Sequence, residues 1–168
     1  MRDKDRKGFL IGERVVYPTS GVGVISDIQE QVIQGEARKY YVIAIPSLDM
    51  NILLPVATAT DMGLRKLSTK KDTEAALSML SEKKDLSVSD WKARQVIQAQ
   101  MLKSGTISNV ATIVNILYNR QKTRDLPVQE RRLYENALTH LVDETCFVLG
   151  MNTEQAKRTI FKRLEKIK

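Results

Sequence analysis

Lys66-Leu67-Ser68-Thr69-Lys70-Lys71 is the stretch where the hydrophobic period of this chain changes, and the change decides the fold class. Before it, apolar residues come in short β-branched runs broken by glycine and proline. After it, they recur every three or four residues. Strands without intervening helices, then helices without intervening strands, make an α+β protein in two parts. The parts are a small antiparallel β module over residues 1–70 and a compact five-helix domain over residues 71–168. The junction is expected between residues 66 and 73.

Working toward the N-terminus, Glu13 to Tyr17 is a β-branched run closed by Pro18, and Thr19-Ser20-Gly21-Val22-Gly23 supplies turn chemistry. Val24 to Ile33 reads as a strand, Gln34-Gly35-Glu36 as a tight turn and Arg38 to Ile45 as the returning strand. Pro46 ends that strand, Ser47-Leu48-Asp49 turns the chain, and Met50 to Leu54 is a further strand before Pro55. Six of the eight glycines and three of the four prolines fall in this half, as a turn-rich sheet or barrel requires.

Toward the C-terminus, Asp72 can cap a helix carrying Ala75, Ala76, Met79 and Leu80. Ser89 or Asp90 caps a second helix that ends at Ser104-Gly105. Ser108 or Thr106 opens a third, with Val110, Ile113, Val114 and Leu117 inward. Pro127 suits the first turn of a fourth, which carries Leu133, Ala137, Leu138, Leu141 and Val142. Asn152 and Gln155 form a capping-box pair for a last helix through Ile160, Phe161 and Leu164.

Trp91, the chain's one tryptophan, opens the second helix. There Ala93, Val96, Ile97 and Met101 form the apolar face, and at ~100° per residue Trp91 lies about 160° from Ala93. An indole beside Lys92 and Arg94, turned from the core, reads as a contact residue. The other reading is a tryptophan folded back on a neighbouring helix, the usual place for a lone one.

The chain has 168 residues, 42% hydrophobic and 28% charged, which is a globular composition, and 5% aromatic, which makes the core aliphatic. Its formal charge of +7 favours an anionic partner. Residues 1–70 hold 10 Lys/Arg against 8 Asp/Glu and residues 71–168 hold 17 against 12, so the anion-binding face belongs to the helices. A single cysteine, Cys146, excludes an intrachain disulfide and fits a buried thiol in a reducing compartment. One histidine, His140, excludes a histidine metal cluster and reads as a helix-surface or rim residue. Pro18 to Gly23 lacks the Gly-Lys-Ser/Thr of a phosphate loop, and Asp49 and Asp61 are isolated carboxylates in turns. No apolar run reaches the roughly 20 residues of a membrane span. Met1 to Lys7 is charged and leads into a strand, unlike a signal peptide. A binding protein in the cytoplasm is expected, with no catalytic site, metal or cofactor and no small-molecule substrate.

Gly12-Glu13-Arg14-Val15-Val16-Tyr17-Pro18-Thr19-Ser20-Gly21-Val22-Gly23 resembles the opening of the CarD family of bacterial transcription regulators. Gly35, Tyr40-Tyr41-Val42, Asp49-Met50 and Leu54-Pro55 continue the likeness. So do Trp91 with Arg94 one turn on, Gly105, and the helix entry from Leu126 to Leu133. The resemblance covers nearly the whole chain. It implies a Tudor-like N-terminal module that binds the β subunit of RNA polymerase, shared with the transcription-repair coupling factor. It also implies a helical domain that meets promoter DNA at the upstream edge of the −10 region, where a tryptophan wedges the minor groove and stabilises the open complex.

Carried over by position, Trp91 takes the wedge place, and Arg94, Arg120, Arg131 and Arg132 take DNA-facing basic places, with Lys92 beside them. Val96 stands where some members have a DNA-facing lysine. Gln31 and Leu53 stand where some use arginines against polymerase, so Arg38, Lys39 and Tyr40 are the further candidates there. The strand around Arg38-Lys39-Tyr40-Tyr41 would offer an edge to the partner's sheet. A monomer that joins polymerase to promoter DNA, away from membranes, is the expectation. The alternative is an adaptor whose basic helices bind another protein or RNA.

Overall fold

A computed structural model of the chain describes residues 8–85 and 90–167. Met1 to Lys7 and the candidate cap Ser89 lie outside the described residues. The chain divides into two compact units, Met1–Leu67 and Ser68–Lys168. Strands fill the first and helices the second, an α+β arrangement.

The first unit is one antiparallel sheet of β1 (Arg14–Tyr17), β2 (Gly21–Ile33), β3 (Glu36–Ile45), β4 (Met50–Pro55) and β5 (Arg65–Lys66), in the order β4-β3-β2-β1-β5. Gln34 and Gly35 both take positive φ, 53° and 80°, which matches the twist of the β2–β3 hairpin. Gly23 is needed for a different reason. A Cβ there would stand 2.6 Å from Ile45 Cδ1 and 2.8 Å from the Ala44 carbonyl oxygen, so β2 and β3 approach through it. Val15, Ile25, Tyr41, Ile43, Ile45, Leu54 and Leu64 form the buried side. The Tyr41 hydroxyl closes it by accepting a 2.9 Å hydrogen bond from the Phe9 amide. Past a register shift between Ile25 and Asp27 the hairpin outruns this core, and residues 29–33 and 36–39 are exposed on both faces.

The second unit holds α1 (Lys70–Met79), α2 (Trp91–Ser104), α3 (Ile107–Thr123), α4 (Val128–Leu149) and α5 (Thr153–Leu164). Thr69, not Asp72, caps α1, accepting from the Asp72 amide. Asp90, Thr106 and Asn152 cap α2, α3 and α5, and Pro127 stands at the cap position of α4. α3 is the central element, burying Val110, Ile113, Val114 and Leu117 against Ala76, Leu80, Ala137, Leu141 and Ile160. Its buried Asn115 donates to the carbonyls of Met79 (2.9 Å) and Glu82 (2.7 Å), satisfying acceptors orphaned where α1 ends. Glu144 of α4 accepts from the Ser68 amide at 2.9 Å and so fixes the start of the unit.

Three expectations need correction. Val96 is 58% exposed and is not core. The buried residues of α2 are Arg94 and Gln98, with Ala93, Ile97 and Met101 only half-buried. Counting by i, i+3 and i+7, Trp91 shares the stripe of Arg94 and Gln98 instead of opposing the buried face. Hydrophobic spacing misorients α2 because the helix is seated by charge. His140 is buried as well, inside the 22-residue α4. Loss of solvent pushes its imidazole pKa down from 6.5, against the opposing pull of the Glu144 carboxylate one turn on.

Candidate functional site

Trp91 occupies the first position of α2, behind the Asp90 cap whose carboxylate accepts from the Lys92 amide at 3.1 Å. It is 48% exposed although one turn of helix separates it from buried Arg94. The Lys92 ammonium lies 5.9 Å from the indole centroid and is exposed. The start of α4 adjoins this end of α2, since the Gln95 amide donates to the Gln129 side-chain carbonyl and Arg94 reaches Glu130. Arg131 and Arg132, next along α4, are exposed, and Arg131 also donates to the Leu126 carbonyl. The starts of α2 and α4 are thus joined, and they carry one half-exposed aromatic ring, Trp91, and three solvent-facing cations, Lys92, Arg131 and Arg132.

Arg94 and Arg120 have another place. Glu130, 2% exposed at the third residue of α4, holds Arg94 Nε of α2 at 3.4 Å through Oε1. Its Oε2 stands 3.3 Å from Arg120 Nε of α3. Arg94 is 5% exposed and Arg120 mostly buried. One carboxylate thus joins three helices. It lies at a helix N-terminus, where the backbone dipole also favours negative charge. Sequence reasoning missed Glu130, for a Glu in a first helical turn reads as dipole compensation, and its partners lie 36 and 10 residues away.

In the first unit the register sorts the polymerase candidates. Gln31 pairs with Arg38, and Leu53 with Val42. Alternation along β3 then sets Gln31, Arg38, Tyr40 and Leu53 on one sheet face, the side opposite Tyr41 and Ile43. Lys39 lies on the other face, paired with Glu30. Leu53 is exposed, Tyr40 half-buried, and Arg38 is tied to Glu36 at 3.1 Å. The edge strands are β4 and β5, and within the 38–41 segment Tyr40 and Tyr41 are covered by β4 whereas Arg38 and Lys39 lie beyond that pairing.

Among the described residues no group of three or more His, Cys, Asp or Glu side chains could hold a metal ion, and no helix is long and apolar enough to cross a membrane. The Cys146 thiol is pushed up from its ordinary pKa, first by burial and then by the Asp143 carboxylate, so it is a poor nucleophile.

Residues 9–68 match the family described as CarD-like/TRCF RID domain, and residues 75–161 match the CarD C-terminal domain. The chain is also similar to YdeB of Bacillus subtilis (strain 168), a proposed transcription factor. The two are 26% identical over 149 residues, 89% of this chain and 97% of YdeB.

Proposed function

The chain belongs to the CarD family and regulates transcription, and from that premise we propose that it grips the RNA polymerase β subunit with its sheet and props open promoter DNA with Trp91. The observation that carries this reading is the half-exposed indole at the entry of α2 beside Lys92, with the exposed pair Arg131-Arg132 near the start of α4. Unstacking a base step costs a few kcal/mol, and a flat aromatic surface at the junction offsets it by stacking or wedging. The cations hold the helix on the phosphates and carry no sequence information, so the action is not sequence-specific. Three such contacts give only weak, salt-sensitive affinity. Attachment to polymerase supplies the rest by raising the effective concentration of the helical unit at the promoter.

On the sheet, Leu53 and Tyr40 form the apolar centre of the polymerase face, with Gln31 and Arg38 at its polar side. The open edge of β4 offers main-chain groups to a strand of the partner.

The test is the lifetime of open complexes challenged with competitor DNA. Base–aromatic stacking is worth about 1–3 kcal/mol, so Trp91→Ala should shorten the half-life by about tenfold or more. Its unfolding transition and polymerase binding should stay as in the parent protein. An unchanged half-life sinks the wedge. RNA competing better than fork-junction DNA, with polymerase giving no supershift, would establish the adaptor instead.

A further inference from the structure

We infer that Glu130 is a positioning residue that aims Trp91, and that Arg94 and Arg120 serve the DNA through Glu130 instead of touching phosphate. This deepens the promoter reading above and rests on it. The starting point is how poorly α2 is held by apolar contact. Its buried side chains are Arg94 and Gln98, and both amide atoms of Gln98 lack a hydrogen-bond partner among the described residues. Met101 and Leu102, which pack on the core, sit at the far end of the helix. Its first two turns, where Trp91 stands, are seated by the Arg94–Glu130 pair and the Gln95–Gln129 hydrogen bond.

A helix end with few buried apolar contacts opens locally at low cost. A buried ion pair adds little net stability over an apolar one, but it tolerates only one geometry, and that is what an aiming device needs. Glu130 faces one guanidinium on each oxygen: Oε1 accepts from Arg94 Nε of α2, and Oε2 stands within ion-pair distance of Arg120 Nε of α3. The first turn of α2 is therefore referred to α4 and, through the same carboxylate, to the central α3. With Trp91 and Arg94 on one stripe, three residues apart, fixing the guanidinium fixes the azimuth of the indole.

The roles separate in experiment. Trp91 is the chain's one tryptophan, so its fluorescence anisotropy and acrylamide quenching report on the aim of α2 in the full-length protein without DNA. Glu130→Gln and Arg94→Met should lower the anisotropy and raise the quenching constant at least twofold, with a single cooperative unfolding transition retained. Each should shorten the open-complex half-life to near that of Trp91→Ala, and adding either to Trp91→Ala should cost nothing more.

Salt provides the second readout. Losing one phosphate contact lowers the slope of log affinity against log salt by about 0.9. Arg131→Gln should show that loss on fork-junction DNA, and Arg94→Met should not. The inference is overturned if Arg94→Met flattens the slope as Arg131→Gln does, or if Trp91 is as rigid in Arg94→Met as in the parent. Should Glu130→Gln fail to fold, Arg94→Met, which keeps the buried stem, decides alone. Should Trp91→Ala leave the half-life unchanged, the wedge falls, and the fluorescence comparison still judges the brace.

Discussion

α2 and α3 are neighbours of similar length, yet they are held by different physics. α3 buries eight residues, six of them Ile, Val or Leu, whereas α2 buries two, both polar. Aliphatic burial is non-directional and tolerates small displacements, so it supplies stability. A carboxylate between two guanidiniums is directional and supplies little stability, but it holds an orientation. The division suits the roles proposed for them, with α3 carrying the domain and α2 carrying the side chain proposed to meet the promoter.

The sharpest way to break that contrast is to weaken α3. Leu117 is fully buried in its centre. Leu117→Ala should destabilise the helical unit by about 2–5 kcal/mol, the lost transfer energy plus the cavity left behind. Denaturant unfolding followed by far-ultraviolet dichroism would read this. A loss below about 1 kcal/mol would mean that the aliphatic seat of α3 is not what carries the domain.

What the sequence showed follows the same line. The Gln34-Gly35 hairpin, the Gly105 end of α2 and the Asn152–Gln155 box were legible, since each is local chemistry with one good solution. The aliphatic stripe of α3 was legible because its period is unambiguous. β5 was not, for Arg65-Lys66 has no apolar pattern and becomes a strand only by pairing with Val15-Val16. The seat of α2 was hidden for a stronger reason. Charged residues are scored as surface, and only the fold reveals that Glu130 lies between Arg94 and Arg120. In the sheet, adjacent Lys39 and Tyr40 were grouped as one binding edge, although alternation sends them to opposite faces. The exposure of Lys92, Arg131 and Arg132 was readable because a surface cation needs no distant partner, whereas Trp91 is exposed for its place in the first turn of α2 and not for lying opposite the buried face.

A gentler probe uses His140, one of the polar groups that α4 buries. The unfolded chain takes a proton on His140 near pH 6.5, and the folded chain does so only at lower pH because burial disfavours the charge. Between those values the unfolded state binds more protons, so stability rises with pH there. The helical unit should therefore lose stability as pH falls from about 7 through 6.5, and the loss should level off below the folded pKa. Asp143, held above its ordinary 3.8 by burial, has the opposite sign and acts at lower pH, so the scan belongs between about pH 7.5 and 5.5. His140→Gln should flatten the curve in that window. A dependence that survives the substitution would place the titrating group elsewhere.

The smallest effect is expected at Val96, and it separates the two accounts of α2 most cleanly. Were hydrophobic periodicity in charge, Val96 would sit in the core and Val96→Lys would bury a charge, costing several kcal/mol. Because charge pairing sets the helix's rotation, Val96 is 58% exposed. A lysine there should shift unfolding by no more than about 0.5 kcal/mol, chiefly through repulsion from Lys92 one turn back. The new cation lies across the helix from the stripe of Trp91. A steeper salt dependence on fork-junction DNA, by about 0.9, would therefore mean that the DNA wraps α2 beyond the indole. An unchanged slope would confine the phosphates to the corner where α2 and α4 begin.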